Sequence, residues 1–233
     1  DDARALEAHK RTLEHVPDDE AALAALDRLH QKRQEWQELA DVLDRRVQRE
    51  SDPSARTDLL VRLGTLRWEQ FADPRGAFTA FQEVLERDPS EPRALGATEG
   101  LLAEQSNLAS EVVEALDQAY RATGNTAKIA ALYDVRIGLC ETDSERVRLL
   151  GELAGVRENE LGDPSSALDA LIRAWELEPS DEATLGDIER LATIVSGWDR
   201  LRGLAEKVEK NEDLDRSTRR DVASTCVARP RRS

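Results

Sequence analysis

The amino-acid sequence predicts an all-α fold, an α-solenoid built from antiparallel helix pairs. Leucine and alanine recur with helical spacing along nearly all of the 233 residues, and no segment alternates apolar and polar residues as a strand does. Charged residues make up 35% of the chain and aromatic residues only 4%, which is typical of stacked helices with thin Ala/Leu cores. The helical periodicity argues against disorder, the other state that such a high charge content favours.

Three helices that end at a proline show that the chain repeats. They read ALEAHKRTLEHVP, AFTAFQEVLERDP and ALDALIRAWELEP and end at Pro17, Pro89 and Pro179. The three prolines are therefore 72 and then 90 residues apart. The 90-residue offset continues upstream without a gap, so that the segment beginning at Trp36 has a second copy beginning at Thr126. A third copy begins at Trp198. The sequence therefore predicts more than two copies of a multi-helix unit.

Capping residues mark where the helices begin and end. Asp73-Pro74 and Asp163-Pro164 each place a side-chain acceptor before a proline that needs no hydrogen-bond partner at the first helical position. A proline also ends the helix before it, because the residue preceding proline avoids the helical region. From these signals we expect thirteen helices, at residues 3–15, 20–33, 35–50, 54–71, 74–87, 91–104, 107–122, 125–140, 144–161, 164–177, 181–195, 197–210 and 214–227.

The spacing of small, large and proline residues resembles that of tetratricopeptide repeats. The second-helix pattern of that family is matched by Ala77-Phe81-Pro89, by Ala167-Leu171-Pro179 and, with an unusual middle residue, by Ala5-His9-Pro17. Gly155 matches the first-helix glycine, whereas Asp44 stands where the family has a large residue. The resemblance covers nearly the whole chain and implies a right-handed superhelix in which Ala and Gly sit at close helix crossings. Another α-solenoid family is the alternative.

The unequal repeats suggest an irregularity within one solenoid spanning residues 1–228. The two offsets differ by about one helix and a turn. Residues 91–104 follow a proline as a first helix would, yet no second helix is apparent after them. We therefore expect the alternation of first and second helices to break near 91–110 and to divide the solenoid into two lobes. Residues 229–233 form a basic tail, and the missing initiator methionine and unpaired first helix suggest that the chain is a fragment.

Composition and motifs argue against several classes of function. The formal net charge of −15 disfavours nucleic acid as a partner, because phosphate contacts need a surplus of Lys and Arg. No apolar stretch reaches the length of a membrane span, and the distant Cys140 and Cys226 are interpreted as buried, reduced residues of a cytoplasmic protein. The three histidines lack metal-ligand spacing, and neither a nucleophile motif nor a phosphate-binding glycine loop is found. We therefore expect no cofactor, no metal and no enzymatic activity.

The family resemblance implies that first helices line a concave groove for partner peptides or helices. Trp36 and Trp198 are expected to pack on the preceding helix, with stacking against a bound peptide as the alternative. For the polar residues expected in the groove, the alternative is that they merely solvate the surface. These residues are Arg28, Gln31, Arg62, Glu69, Arg93, Glu152, Asn159 and Arg190.

The sequence thus predicts a non-catalytic protein–protein interaction scaffold whose partner is a protein or peptide. The alternative is a regulatory or assembly region of a larger multidomain enzyme or signalling protein. The reading frame on either side of this chain separates the two. Further repeats would favour the scaffold, whereas a catalytic or DNA-binding domain would favour the regulatory region.

Overall fold

The computed structural model describes residues 2–104, 106–179 and 182–209, which contain twelve α-helices and no strand. A single 3₁₀ turn, Ser106–Leu108, precedes α7, and a π-helical segment, Val156–Glu160, continues α9. The helices are α1 (Asp2–His15), α2 (Glu20–Arg33), α3 (Trp36–Arg49), α4 (Pro53–Phe71), α5 (Pro74–Arg87), α6 (Pro92–Glu104), α7 (Ala109–Thr123), α8 (Thr126–Leu139), α9 (Asp143–Gly155), α10 (Pro164–Leu177), α11 (Glu182–Val195) and α12 (Trp198–Glu209).

The predicted all-α fold is confirmed. Each of the first twelve predicted helices has an observed counterpart, and the bounds agree closely. The main difference is that the helix predicted at 144–161 changes from α to π geometry after Gly155. The predicted helix at 214–227 and the basic tail at 229–233 lie outside the described residues.

Capping follows the predicted chemistry and repeats at the 90-residue offset. The carboxylate of Asp73 accepts the backbone N–H of Gly76 at 2.9 Å, and that of Asp163 accepts the N–H of Ser166 at 3.0 Å. The residue just before each aspartate is left-handed, with φ of 49° at Ala72 and 64° at Gly162. The two copies therefore turn the chain in the same way, although only one uses the residue that suits a positive φ.

The chain divides into two compact units, and the division falls between Thr123 and Gly124. Within each unit, consecutive helices pack against one another. Because the connections are short, such neighbours run antiparallel. In the first unit α4 also contacts α6, and α5 contacts α7, so that alternate helices share a layer. This is the packing expected of a helical-repeat protein.

The division lies after α7 rather than at residues 91–110. The helix α7 packs on both α5 and α6, so a packed helix does follow α6. The expected break of the alternation near 91–110 stays a prediction, as does the handedness of the superhelix.

The two most extensive helix contacts, one in each unit, join α4 to α5 and α9 to α10. In the first unit, a Cβ added at Gly64 would lie 2.5 Å from the ring of Phe81, so only glycine lets these helices approach so closely. At the 90-residue offset the equivalent pair is Ala154 and Leu171. The glycine expected at the crossing in the second unit, Gly155, is not the equivalent residue, and a Cβ added there would meet no atom within 4 Å.

Candidate functional site

A groove with a volume of about 300 Å³ lies in the first unit between α2, α3 and α4. Three buried leucines, Leu39, Leu43 and Leu66, form its floor. We call it the Trp36 groove, after the half-buried indole among its lining residues. The remaining lining residues are Gln31, Val61, Arg62, Thr65, Glu69 and Gln70, of which Gln31, Glu69 and Gln70 are exposed and border the mouth.

The position of Trp36 follows from the turn between α2 and α3. Gln34 ends α2 in the left-handed region, with φ of 57°, and Trp36 is the first residue of α3. The carboxylate of Glu35 contacts Nδ1 of buried His30 at 2.7 Å and accepts from Arg33 at 2.6 Å. The hydrogen bond with His30, followed by that with Arg33, lowers the pKa of Glu35. These two contacts of Glu35 fix the turn, and the turn places the indole of Trp36 beside the floor of the groove.

Trp36 was expected to pack on the preceding helix. The structure packs it against the core cluster formed by residues of α3, α4, α5 and α6. The indole is half-buried, so part of it remains accessible from the groove. Trp198, which begins the third copy of the segment that starts at Trp36, is also half-buried.

Arg62 is anchored at the groove by a buried carboxylate. Asp27 is 2% exposed and accepts hydrogen bonds from two arginines, Arg46 of α3 and Arg62 of α4. Arg62 donates to both oxygens of Asp27, at 2.6 and 2.9 Å, and to the side-chain oxygen of Gln31 at 3.0 Å. The hydrogen bond with Asp27 is the main cause that raises the pKa of Arg62. One carboxylate is thus shared by two guanidinium groups, and this cluster carries a net positive charge.

Of the eight residues predicted to face a groove, the structure brings three together in the Trp36 groove: Gln31, Arg62 and Glu69. Arg28 and Arg93 belong to the same unit but do not line it. Arg28 is exposed, and its Nε donates to the backbone oxygen of Ala24 at 3.2 Å. Arg93 pairs instead with Asp58 at 2.8 Å and with Glu91 at 2.6 Å.

The other three predicted residues belong to the second unit. The carboxylate of Glu152 accepts from Tyr133 at 3.3 Å and also from Arg148. Arg190 of α11 pairs with Glu158 of the π-helical segment and with Asp187. Asn159 lies in the same segment. Several of the predicted charges therefore connect neighbouring helices, a role that the sequence pattern did not predict.

The copy of the groove in the second unit has lost much of its apolar lining. At the 90-residue offset Trp36 becomes Thr126, and Val61 and Thr65 become Gly151 and Gly155. A Cβ added at either glycine would meet no atom within 4 Å. Gln31, Arg62 and Glu69 were predicted from the sequence, but the apolar lining was not. The replacement of Val61 and Thr65 by glycine at the 90-residue offset was the signal in the sequence that could have revealed this lining.

A second, smaller groove of about 250 Å³ lies between α2 and the end of α3. Its lining mixes both signs of charge, and Arg46 and Arg49 are already paired with Asp27 and Asp18. Leu23 is the only apolar residue among those that line it. This groove therefore lacks an apolar floor.

The remaining predictions concern the two cysteines, metal ligands and membrane spans. Cys140 was expected to be buried within a helix, but it lies just after α8 and is half-buried, with its thiol 3.3 Å from the backbone oxygen of Arg136. Cys226 lies outside the described residues. Among residues 2–104, 106–179 and 182–209, no group of three or more His, Cys, Asp or Glu residues is arranged to hold a metal. Over the same ranges, none of the helices combines the length and apolarity needed to cross a membrane.

Comparison with known proteins finds no match to a family model and none to a curated protein. Solved structures that do match include Naa15/Naa10 bound to HypK-THB, at 13% identity and a TM-score of 0.33 over 94% of this chain and 36% of that one. Another is BtubC (BKLC) from P. vanneervenii, at 14% identity and a TM-score of 0.34 over 92% of both chains. This chain thus spans about a third of the first of these proteins.

Proposed function

We propose that this chain is a non-catalytic protein–protein interaction scaffold, and that the Trp36 groove binds a peptide or helix of its partner. The observation that carries the proposal is the combination in one groove of a buried leucine floor, a half-buried tryptophan and an exposed polar mouth. Apolar pockets that contain an aromatic anchor and are surrounded by polar residues are where protein interfaces concentrate their binding energy.

The chemistry of the lining supports binding rather than catalysis. Its ionisable side chains are Arg62, which is already bonded to Asp27, and Glu69. Its only hydroxyl belongs to Thr65 and donates to the backbone oxygen of Val61 at 2.9 Å. A nucleophile needs an adjacent base for activation, and no such pair lines the groove.

The experiment that tests this proposal is peptide display against the intact chain, followed by binding measurements on variants. Val61→Arg places a long charged side chain at the groove, whereas Gly151→Arg places the same side chain at the matched position of the second unit. We expect selected peptides to lose at least tenfold in affinity for Val61→Arg and to bind Gly151→Arg unchanged. Circular dichroism of both variants checks that the helices remain folded.

Peptides that bind Val61→Arg as tightly as the unaltered chain would contradict the proposal. A loss confined to Gly151→Arg would move the binding site to the second unit. The alternative, a regulatory region of a larger protein, remains a proposal that the flanking reading frame tests.

A further inference from the structure

The Trp36 groove carries opposite charges at its two ends. Arg62 and Glu69 both line it and are seven residues apart on α4, which corresponds to about 10.5 Å along the helix axis. The apolar residues Val61 and Leu66 of the same helix also contribute to the lining. A partner that lies along α4 would therefore meet a positive charge, an apolar surface and a negative charge in that order.

The positive end of the groove can pair with a further carboxylate, although Arg62 is already bonded to Asp27. Arg46 and Arg62 share the single carboxylate of Asp27, and the side chain of Arg62 remains 39% exposed. Arg28 lies one turn before Gln31 on the same face of α2 and forms no ion pair with any residue in the described ranges. A carboxylate of the partner would relieve this local surplus of positive charge.

The negative end is formed by Glu69. This residue is exposed and makes no ion pair within the part of the chain that the structure describes. Its neighbour along the mouth is the uncharged Gln70. A basic side chain of the partner could therefore pair with Glu69 without breaking an existing contact.

The spacing of these charges favours a helical partner over an extended one. Residues i, i+4 and i+7 lie on one face of an α-helix and span about 10.5 Å, which matches the separation of Arg62 and Glu69. In an extended strand, same-face residues are about 6.6 Å apart, so that three of them span about 13 Å. The helical spacing places one large side chain over the groove between the two charges.

We propose that the Trp36 groove recognises an amphipathic α-helix carrying an acidic residue at i, a large apolar residue at i+3 or i+4, and a basic residue at i+7. The acidic residue pairs with Arg62, the apolar residue packs on Trp36 and the leucine floor, and the basic residue pairs with Glu69. This inference rests on the proposed function and adds the chemistry of the partner to it.

A displayed library of helical peptides tests the proposal. The host sequence is rich in Ala and Gln, and the positions along one face are randomised to acidic, basic, apolar and polar residues. We expect peptides selected on the intact chain to carry the acidic–apolar–basic order. Trp36→Ala should weaken them at least tenfold, whereas Trp198→Ala, at the start of the third copy of the segment that begins at Trp36, should leave them unchanged. Val61→Arg provides an independent way to block the groove if Trp36→Ala lowers the helix content.

A charge exchange tests the pattern itself. Glu69→Arg should weaken a selected peptide about three- to tenfold and should strengthen the same peptide with glutamate at i+7. Asn159→Arg, the matched change in the second unit, should alter neither affinity. Peptides that depend on Trp36 but lack the charge order, or that are insensitive to Glu69→Arg, would overturn the inference and leave the scaffold function standing. The absence of any peptide that depends on Trp36 or Val61 would overturn both.

Discussion

The helix pair α4–α5 of the first unit and the pair α9–α10 of the second are copies of each other at the 90-residue offset. Both are held by the same arginine arrangement. Arg67 reaches Asp44 at 2.9 Å and the backbone oxygen of Gly76 at 3.4 Å. Arg157 reaches Asp134 at 3.1 Å and the backbone oxygen of Ser166 at 3.2 Å. Each arginine thus connects the helix before its own to the helix after it.

Elsewhere the two copies carry different residues at equivalent positions. Where the first unit packs Gly64 on the ring of Phe81, the second has Ala154 and Leu171. Where Gly100 lies against the ring of Trp68, the second unit has the ion pair between Arg190 and Glu158. In both cases the two partner positions differ together between the units, so we expect a substitution at one of them to require a change at the other.

The largest effect is expected where this complementarity is sterically tightest. Gly64→Ala places a Cβ 2.5 Å from a ring atom of Phe81 and should destabilise the first unit by about 1 to 3 kcal/mol. Adding Phe81→Leu, which reproduces the pair of the second unit, should recover part of that loss. A double-mutant cycle in urea denaturation, read out by hydrogen exchange in α4 and α5, measures the coupling. Strictly additive effects would show that the two residues are not a complementary pair.

The shared arginine arrangement should matter similarly in both units. Arg67→Ala and Arg157→Ala should each cost about 1 to 2 kcal/mol, because each removes a charge-assisted hydrogen bond from a partly buried site. Hydrogen exchange in α4 for the first variant and in α9 for the second locates the loss. A clear loss in one unit and none in the other would break the equivalence of the two copies.

Ala72 and Gly162, the left-handed residues that precede Asp73 and Asp163, should respond to exchange with opposite signs. Ala72→Gly should stabilise the first unit and Gly162→Ala should destabilise the second, each by about 1 kcal/mol, because a Cβ is strained at a positive φ. Thermal melting of the two single variants tests this prediction. A loss of stability in Ala72→Gly would show that helix propensity or chain entropy outweighs the strain at this position.

The smallest effect is expected at the ion pair that replaces the Trp68 contact. Glu158→Gln should cost at most about 1 kcal/mol at neutral pH, since the pair is partly exposed. The hydrogen bond from Arg190 holds the pKa of Glu158 below its ordinary value of 4.5. The stabilisation is therefore complete above that value and is lost as the pH falls through the lower pKa of the folded state.

Unfolding measured between neutral pH and about pH 3 compares this variant with the unaltered chain. The difference between them should shrink with acid and with added salt. A difference that persists under both conditions would assign the loss to packing rather than to charge.

Much of the fold could be predicted from sequence because helix ends depend on local chemistry. Asp73-Pro74 and Asp163-Pro164 begin helices through contacts within three residues, and the structure confirms both. The candidate groove was predicted less completely. Gln31, Arg62 and Glu69 were identified as polar first-helix residues, but their meeting with Trp36 depends on the packing of three helices.

Pairings between distant residues could not be predicted, because they depend on helix packing rather than on local pattern. Asp44 was recognised only as a departure from the family pattern, whereas in the structure it binds Arg67, 23 residues later. Asp134 and Arg157 repeat the same spacing. The recurrence of an Asp–Arg pair at a fixed offset is the signal that the sequence offered. Gly155 fits the family spacing, but the residue equivalent to Gly64 at the 90-residue offset is Ala154, and a Cβ added at Gly155 would meet no atom within 4 Å.

The most direct test of the central claim, that the Trp36 groove is the binding site, is hydrogen exchange of the intact chain with and without a selected helical peptide. We predict that slowed exchange is confined to residues 28–43 and 58–70, which contain the groove and its charged ends. Slowed exchange in residues 126–133 and 151–160 instead, where the second unit carries the glycine-lined copy, would contradict the claim.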